Sequence, residues 1–245
     1  MKTHVWITGA SSGIGKAVAL EMAARGYDLI ISGRNQDALK QVADQTGAYV
    51  LAFDATDKQA NLDAANDLKQ RYGCIDIVFL NAGNCEYVDV DAFNSGVFER
   101  MIKTNFLSMV YGVEAALPLL RASKSPQLVG MSSAVAFLGL PRSEAYGASK
   151  AAIRNFLEGL RVSLSREKIT VSIVYPGFVK TPLTNKNDFP MPMLITAEQA
   201  AKAIVAGIEK KKFDIYVPVF FLYLTRFISM LPSKMSSYLL KLLLR

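Results

Sequence analysis

A phenol and an ammonium four residues apart form a compact proton-handling pair, and this chain carries one at Tyr146-Gly147-Ala148-Ser149-Lys150. The pair opens a strongly patterned helical stretch, Tyr146–Arg166, on which residues i and i+4 project from one face. A cation beside a phenol favours the phenolate, so the spacing predicts a Tyr146 pKa drawn down from about 10 toward neutrality. Upstream, Ser132-Ser133 ends the strand-like run Gln127–Ser132, where a hydroxyl faces a ligand at the carboxyl edge of a parallel sheet. A positioned acid with a second hydrogen-bond donor for a carbonyl oxygen is a minimal site for hydride transfer.

Hydride chemistry needs a carrier, and the amino terminus offers a place for one. The strand-like H-V-W-I-T runs into Gly9-Ala10-Ser11-Ser12-Gly13-Ile14-Gly15 and then into a helix. Glycines permit a tight turn and a close backbone approach, and the new helix presents its positive end to a pyrophosphate. The spacing is G-x-x-x-G-x-G, not the G-x-G-x-x-G of many dehydrogenases. The end of the second strand selects the nucleotide: an acid there would hold a ribose 2′-hydroxyl, an arginine a 2′-phosphate. This chain reads Ser32-Gly33-Arg34-Asn35, with no acid between Asp28 and Asp37. Arg34 is the candidate phosphate clamp and NADP(H) the preferred cofactor, with NAD(H) as the alternative if Arg34 merely faces solvent.

These residues need a scaffold. Short apolar runs alternate with amphipathic stretches, the signature of βαβ units and a parallel sheet. Strands are expected at His4–Thr8, Asp28–Ser32, Tyr49–Phe53, Ile75–Leu80, Gln127–Ser132, Thr170–Val174 and Asp214–Val217. Helices are expected at Ile14–Arg25, Asp37–Thr46, Lys58–Tyr72, Gly96–Leu120, Tyr146–Arg166 and Ala197–Lys211, with Gly26, Gly47 and Gly73 at helix ends. The fold class is α/β, a Rossmann-type doubly wound parallel sheet with helices on both faces. Residues 1–212 form the dinucleotide-binding and catalytic unit. Residues 213–245 hold the last strand and an apolar, basic tail, read as part of the same domain or as a membrane or oligomer appendage.

The motifs together resemble the compact, single-domain branch of the short-chain dehydrogenase/reductase family. They are T-G-A-S-S-G-I-G, N-A-G after the fourth strand, a serine thirteen residues before Y-x-x-x-K, and a following P-G, and the resemblance runs from Thr3 to Lys212. It implies that Tyr146 is the general acid in carbonyl reduction, that Lys150 tunes Tyr146 and holds the nicotinamide ribose, and that Ser133, not Ser132, polarises the carbonyl. It implies that Asn105 anchors a water in a proton relay to Lys150. Gly9, Ser11, Ser12, Gly13, Ile14 and Gly15 would bind pyrophosphate, and Asn81, Ala82 and Gly83 would line the adenosine side. Asp54 would bond the adenine amino group, and Pro176, Gly177 and Thr181 would border the nicotinamide. Two positions depart from the family: Leu80 stands for the first asparagine of N-N-A-G, and Ala136 stands where a glycine is frequent. Neither touches the proposed proton transfer.

Between Thr181 and Ala197 three prolines and two methionines suggest a loop over the pocket. Met191, Met193 and Leu194, with Phe137, Leu138 and Leu140, are expected either to form an apolar substrate pocket or to pack as core. A ketone or secondary alcohol, apolar and lipid-like, is the preferred substrate, and a homodimer or homotetramer the expected assembly. The chain of 245 residues is 51% hydrophobic, which excludes a disordered protein. Two cysteines and one histidine point away from a disulfide framework and a zinc site, toward a reducing, cytoplasmic location. Of the net charge of +7, a balance of +6 lies from Lys210 onward, where Asp214 is the one acid. That distribution disfavours nucleic acid, and the leucine-rich, basic stretch after Pro232 fits either interfacial membrane attachment or packing on the protein. Two competing functions remain in view: a non-catalytic nucleotide-binding or membrane-recruited protein on this fold, and sugar-nucleotide chemistry, which also uses Tyr-x-x-x-Lys.

Overall fold

The computed structural model describes residues 2–243. Strand β1 (His4–Thr8) shows why the sheet forms where it does: Val5 and Ile7 point to one face, Trp6 to the other, and all three are fully buried. The same alternation in β2 (Asp28–Gly33) sends Leu29 and Ile31 one way and Ile30 the other. Period-2 side chains that are apolar on both sides demand helices on both faces. Helices α1 (Gly13–Ala24) and α2 (Gln36–Thr46) cover the Val5 face together with α7 (Ala197–Glu209). Helices α3 (Lys58–Tyr72), α5 (Ser108–Arg121) and α6 (Glu144–Ser163) cover the Trp6 face. The Trp6 indole N–H, buried there, donates to Ser32 Oγ at 2.8 Å, so its burial strands no polar group.

Five further strands complete the main sheet: β3 (Tyr49–Ala52), β4 (Ile77–Leu80), β5 (Gln127–Met131), β6 (Thr170–Pro176) and β9 (Asp214–Val217). Their order is β3-β2-β1-β4-β5-β6-β9, every pair parallel. The order reverses between β1 and β4, and a crevice opens outside the carboxyl ends at such a switch point. Gly47 and Gly73 close α2 and α3 as the sequence suggests. All seven expected strands are present, with ends moved by one or two residues.

Three segments differ from expectation. The stretch expected as one helix over Gly96–Leu120 is α4 (Ser95–Met101), then a π-helical turn over Ile102–Leu107, then α5. The loop after β6 carries a small two-stranded sheet, β7 (Val179–Lys180) with β8 (Ile195–Thr196). The apolar run after β9 is helical: α8 (Val219–Met230) turns back along β9, setting Tyr223 against Tyr216 at 5.5 Å and burying Leu222 completely. Helix α9 (Ser233–Leu243) follows.

Candidate active site

The glycine turn is built by steric necessity. Gly9 holds φ at +68°, and a Cβ there would lie 2.8 Å from Ala82 Cα. A Cβ on Gly15 would lie 2.3 Å from Gly9 O and 2.5 Å from Asn81 Nδ2. The turn is therefore pressed against the end of β4, and hydrogen bonds fix it there. Asn81 Nδ2 donates to Thr8 O and Gly9 O, both at 3.1 Å, while Thr8 Oγ1 accepts from the amides of Asn81 and Ala82 at 3.1 and 3.2 Å. Asn81, expected only to line the adenosine side, is thus also the tie between β1 and β4. Helix α1 begins in this turn, and its N-cap, Ser12, makes no side-chain cap, unlike Asn35, Asp57 and Thr196 at α2, α3 and α7. The first-turn amides of α1 stay open to an anion, and no side chain fills the glycine cradle in front of them.

A cleft with a cavity of about 290 Å³ runs along the carboxyl edge from this turn to Tyr146. Fifteen expected residues line it: Gly9, Ser11, Ser12, Gly13, Ile14, Gly15, Arg34, Asp54, Asn81, Ala82, Gly83, Tyr146, Lys150, Pro176 and Thr181. Arg34 is exposed at its far end, beside Gly33 and Ser32, with no acid at the end of β2. Asp54, on the wall of the cleft, uses Oδ1 to accept from Thr56 N at 2.9 Å, which holds the carboxylate in place. Thr181 packs against Gly13: a Cβ on that glycine would sit 3.4 Å from Thr181 Cγ2. Sequence reasoning missed Thr8 and Met131, whose only signal is their position at strand ends facing the crevice. It also missed Thr104, the neighbour of Asn105, and Pro182 and Leu183, which follow Thr181 on the same wall.

At the catalytic end, Lys150 is 3% exposed and donates from Nζ to Met131 O at 3.0 Å. Its Nζ stands 5.7 Å from the Tyr146 ring centroid. Burial lowers the Lys150 pKa to about 8. The expected lowering at Tyr146 does not occur. Burial raises the phenol well above its ordinary value, and the Ser133 hydroxyl opposes this only in part. Desolvation of the phenol is the larger effect, and the neighbouring Lys150 does not offset it. Tyr146 therefore holds its proton through the neutral range, the state a general acid needs, while Lys150 changes charge near working pH.

Asn105, Ser133 and Gly177 do not line the cleft. Ser133, 7% exposed, starts a short turn over Ala134–Ala136 with its Oγ 3.4 Å from Val135 N. Ser132 is structural: its Oγ donates to Lys150 O at 3.0 Å, which leaves Ser133 as the hydroxyl near Tyr146. Asn105 is fully buried in the π-helical turn and stands behind the site. Its Oδ1 accepts from Asn84 N at 2.7 Å, and its Nδ2 donates to Asn84 O and Ser149 Oγ, both at 2.9 Å. Ser149 Oγ in turn donates to Tyr146 O at 2.7 Å, so Asn105 braces the first turn of α6 against the loop after β4. Gly177 sits under α8, where a Cβ would lie 2.6 Å from the Phe221 ring. That contact by itself requires a small residue here, next to Pro176, which does line the cleft.

The expected apolar pocket divides. Phe137, Leu138 and Leu140 line a second cavity of about 730 Å³, between α6 and Leu240 and Lys241 of α9. Met193 and Leu194 are exposed and Met191 takes a contact from Asn187. The segment they belong to is fastened over the site by Arg142 to Asp188 at 2.8 Å, by Tyr87 to Asn187, and by Phe189 wedged between Tyr87 and Phe178. Cys85 lies close enough to Tyr146 and Lys150 for their charges to interact, and burial pushes its thiol up to about 11.

The fold and site define a Rossmann-type nucleotide-binding oxidoreductase. The chain belongs to the short-chain dehydrogenase family, whose model (short chain dehydrogenase) matches residues 3–192. It is 34% identical over 232 residues to an uncharacterized oxidoreductase of Myxococcus xanthus, covering 93% of this chain and 92% of that one. It is 35% identical over 223 residues to 11-beta-hydroxysteroid dehydrogenase-like 4A of Arabidopsis thaliana, covering 85% of this chain and 74% of that one. A short-chain dehydrogenase from Sphingobium yanoikuyae, solved in complex with NADPH, superposes with a TM-score of 0.78 at 26% identity, over 89% of this chain and 88% of the other.

Proposed function

We propose that this oxidoreductase interconverts an apolar ketone and its secondary alcohol with NADP(H). One observation carries the reading: a half-buried, protonated Tyr146 with Lys150 closes one end of a cleft whose other end presents Arg34 and no acid, and Ser133 stands next to Tyr146 just outside the lining. The open amides of Gly13, Ile14 and Gly15 would hold the pyrophosphate, Arg34 the 2′-phosphate, Asp54 the adenine and Lys150 the ribose hydroxyls. The nicotinamide, when bound, supplies or accepts the hydride at the substrate carbon. In reduction, Ser133 donates a hydrogen bond to the carbonyl oxygen, Tyr146 passes its proton to that oxygen, and Lys150 restores the proton to Tyr146. Asn105 keeps the first turn of α6 in place while this happens. In oxidation the same groups run in reverse.

The NADPH complex of the Sphingobium relative supports the cofactor, and the hydroxysteroid dehydrogenase-like name of the Arabidopsis relative supports a bulky apolar substrate. Phe137, Leu138 and Leu140, which follow Ser133 in sequence and line the second cavity, support the same class. The outer face of α6, where Val162 is 74% exposed, supports a second copy of the chain as partner, in a homodimer or homotetramer. Tyr146→Phe tests the chemistry: carbonyl reduction falls by about 10²–10⁴-fold with nucleotide binding intact, and retained turnover refutes the assignment. Arg34→Ala tests the cofactor. Loss of one charge-assisted phosphate contact, roughly 1.5–3 kcal/mol, weakens NADPH by about 10–100-fold and leaves NADH unchanged, whereas equal loss for both overturns the preference.

A further inference from the structure

Nine of the fifteen large apolar residues exposed among the described residues lie between Val219 and Leu242. They are ordered, not scattered. On α8, Phe220, Tyr223, Phe227 and Met230 recur at helical spacing and are 60–78% exposed, while Leu222 and Phe221 of the same helix pack inward. On α9, Met235, Tyr238 and Leu242 form a second exposed stripe, and the i, i+4, i+7 rule puts Lys234 and Lys241 along its flank. The other side of α9, at Leu240, faces the cavity above Phe137. Lysines bordering an apolar stripe are the arrangement of an interfacial helix.

The charges sharpen the choice of partner. No acidic residue follows Asp214 in the sequence. Asp214 itself is occupied by Arg161 at 2.9 Å and by Arg226 at 3.8 Å. Arg226 also meets Tyr216, so it is not a free cation, and Lys211 is held by Ser125 Oγ at 2.8 Å. With Arg226 set against Asp214, the basic balance seen in the sequence rests, among the described residues, on Lys234 and Lys241 beside the stripes and on Lys210, Lys211 and Lys212 before β9. Because α8 runs back past Asp214 at Arg226, its last turn at Met230 reaches the edge from which β9 starts, the side of Lys210 and Lys212. The stripes of α8 and α9 carry lysines and no acid of their own, and the acid that shares the cavity lining with Lys241 is Glu144 of α6. An anionic lipid surface meets both the apolar rows and the lysines. No helix among the described residues is long and apolar enough to cross a membrane, so the contact lies along the surface.

We propose that the α8–α9 hairpin seats the enzyme on an anionic bilayer, with Phe220, Tyr223, Phe227 and Met230 among the headgroups and Lys234 and Lys241 on lipid phosphates. This goes beyond the oxidoreductase reading and stands or falls apart from it. Flotation of the full chain with vesicles of phosphatidylcholine, or of equimolar phosphatidylcholine and phosphatidylglycerol, tests it. Binding is expected on the anionic vesicles, weakened by salt, and reduced about fivefold by Lys234→Gln. Phe227→Ser with Met230→Ser reduces it by roughly tenfold or more, and reduction of a small water-soluble ketone by that variant stays at the wild-type rate. Absence of binding to anionic vesicles overturns the proposal, as does equal binding to neutral ones. So does a dimer that Phe227→Ser with Met230→Ser splits while vesicles bind nothing: the stripes are then a subunit interface. A full chain that floats but reduces no ketone refutes the proposed activity and leaves the docking in place.

Discussion

Replacing Lys150 by methionine should stabilise the protein while it destroys the site. A buried ammonium whose pKa falls from 10.5 to about 8 costs the folded state about 3 kcal/mol when charged, at about 1.4 kcal/mol per pH unit. The sign follows from proton binding. Below pH 8 both folded and unfolded chains carry the proton, and the full penalty is present. Between pH 8 and 10.5 the unfolded chain keeps the proton that the folded one has released, so stability contributed by Lys150 rises with pH. Lys150→Met removes the penalty and also the hydrogen bond to Met131 O, a loss of about 1 kcal/mol. The variant should therefore exceed wild type by about 2 kcal/mol near pH 7, or roughly 4–8 °C in Tm for a chain of this size. That advantage should vanish by about pH 10. Tyr146 and Tyr175, whose raised pKa values make stability fall at alkaline pH, act in both proteins and largely cancel in the difference, whereas Cys85 loses the Lys150 charge that opposes its upward shift and so erodes the variant's advantage further above pH 9. Urea unfolding followed by the fluorescence of Trp6, the single buried tryptophan, reads the effect. A difference that does not change with pH, or a methionine variant less stable than wild type near neutrality, refutes the reasoning.

Two further substitutions probe the frame. Gly15→Ala lies within α1, where helix propensity alone would favour alanine by about 1 kcal/mol. Its Cβ would instead meet Gly9 O at 2.3 Å, so unfolding should show a net loss of about 2–3 kcal/mol with weakened nucleotide binding, and a gain in stability would refute the close approach. Asn105→Ala strips the Asn84 amide and carbonyl of their buried partners. It should cost about 2–4 kcal/mol, read as a Tm lower by roughly 4–16 °C, and a Tm within a degree or two of wild type would contradict the bracing role.

The sheet and the nucleotide end were legible because their signals are local. A continuous apolar run such as Asp28–Ser32 has to be a buried strand, and a glycine turn between strand and helix has one economical geometry. What escaped the sequence depends on neighbours distant in the chain. Whether Tyr146 is lowered by Lys150 or raised by burial depends on how much protein surrounds both, which spacing cannot show. The π-helical turn inserts one residue into a helix without breaking its apolar character, and the inward residues Met101, Asn105, Ser108 and Met109 keep ordinary α-helical spacing, so nothing in the pattern betrays it. The run V-F-F-L-Y-L is apolar all round and carries no period, so its helical form comes from the sheet edge it covers. Gly177, read as a cofactor neighbour, has Phe221 lying on it, a contact that by itself requires a small residue.

That last contact belongs to a longer row. Phe221 stacks on Phe178 at 5.6 Å, Phe178 on Phe189 at 6.1 Å, and Phe189 on Tyr87 at 5.8 Å, a line of rings from the C-terminal segment through the flap over the site. The two terminal helices therefore differ in exchangeability. Helix α9 could be shortened at the cost of one cavity wall and of the stripe that Lys234 and Lys241 flank. Helix α8 cannot, because cutting before Val219 would unroof Leu222, open the space above Gly177 and remove the end ring of the row that seats the flap.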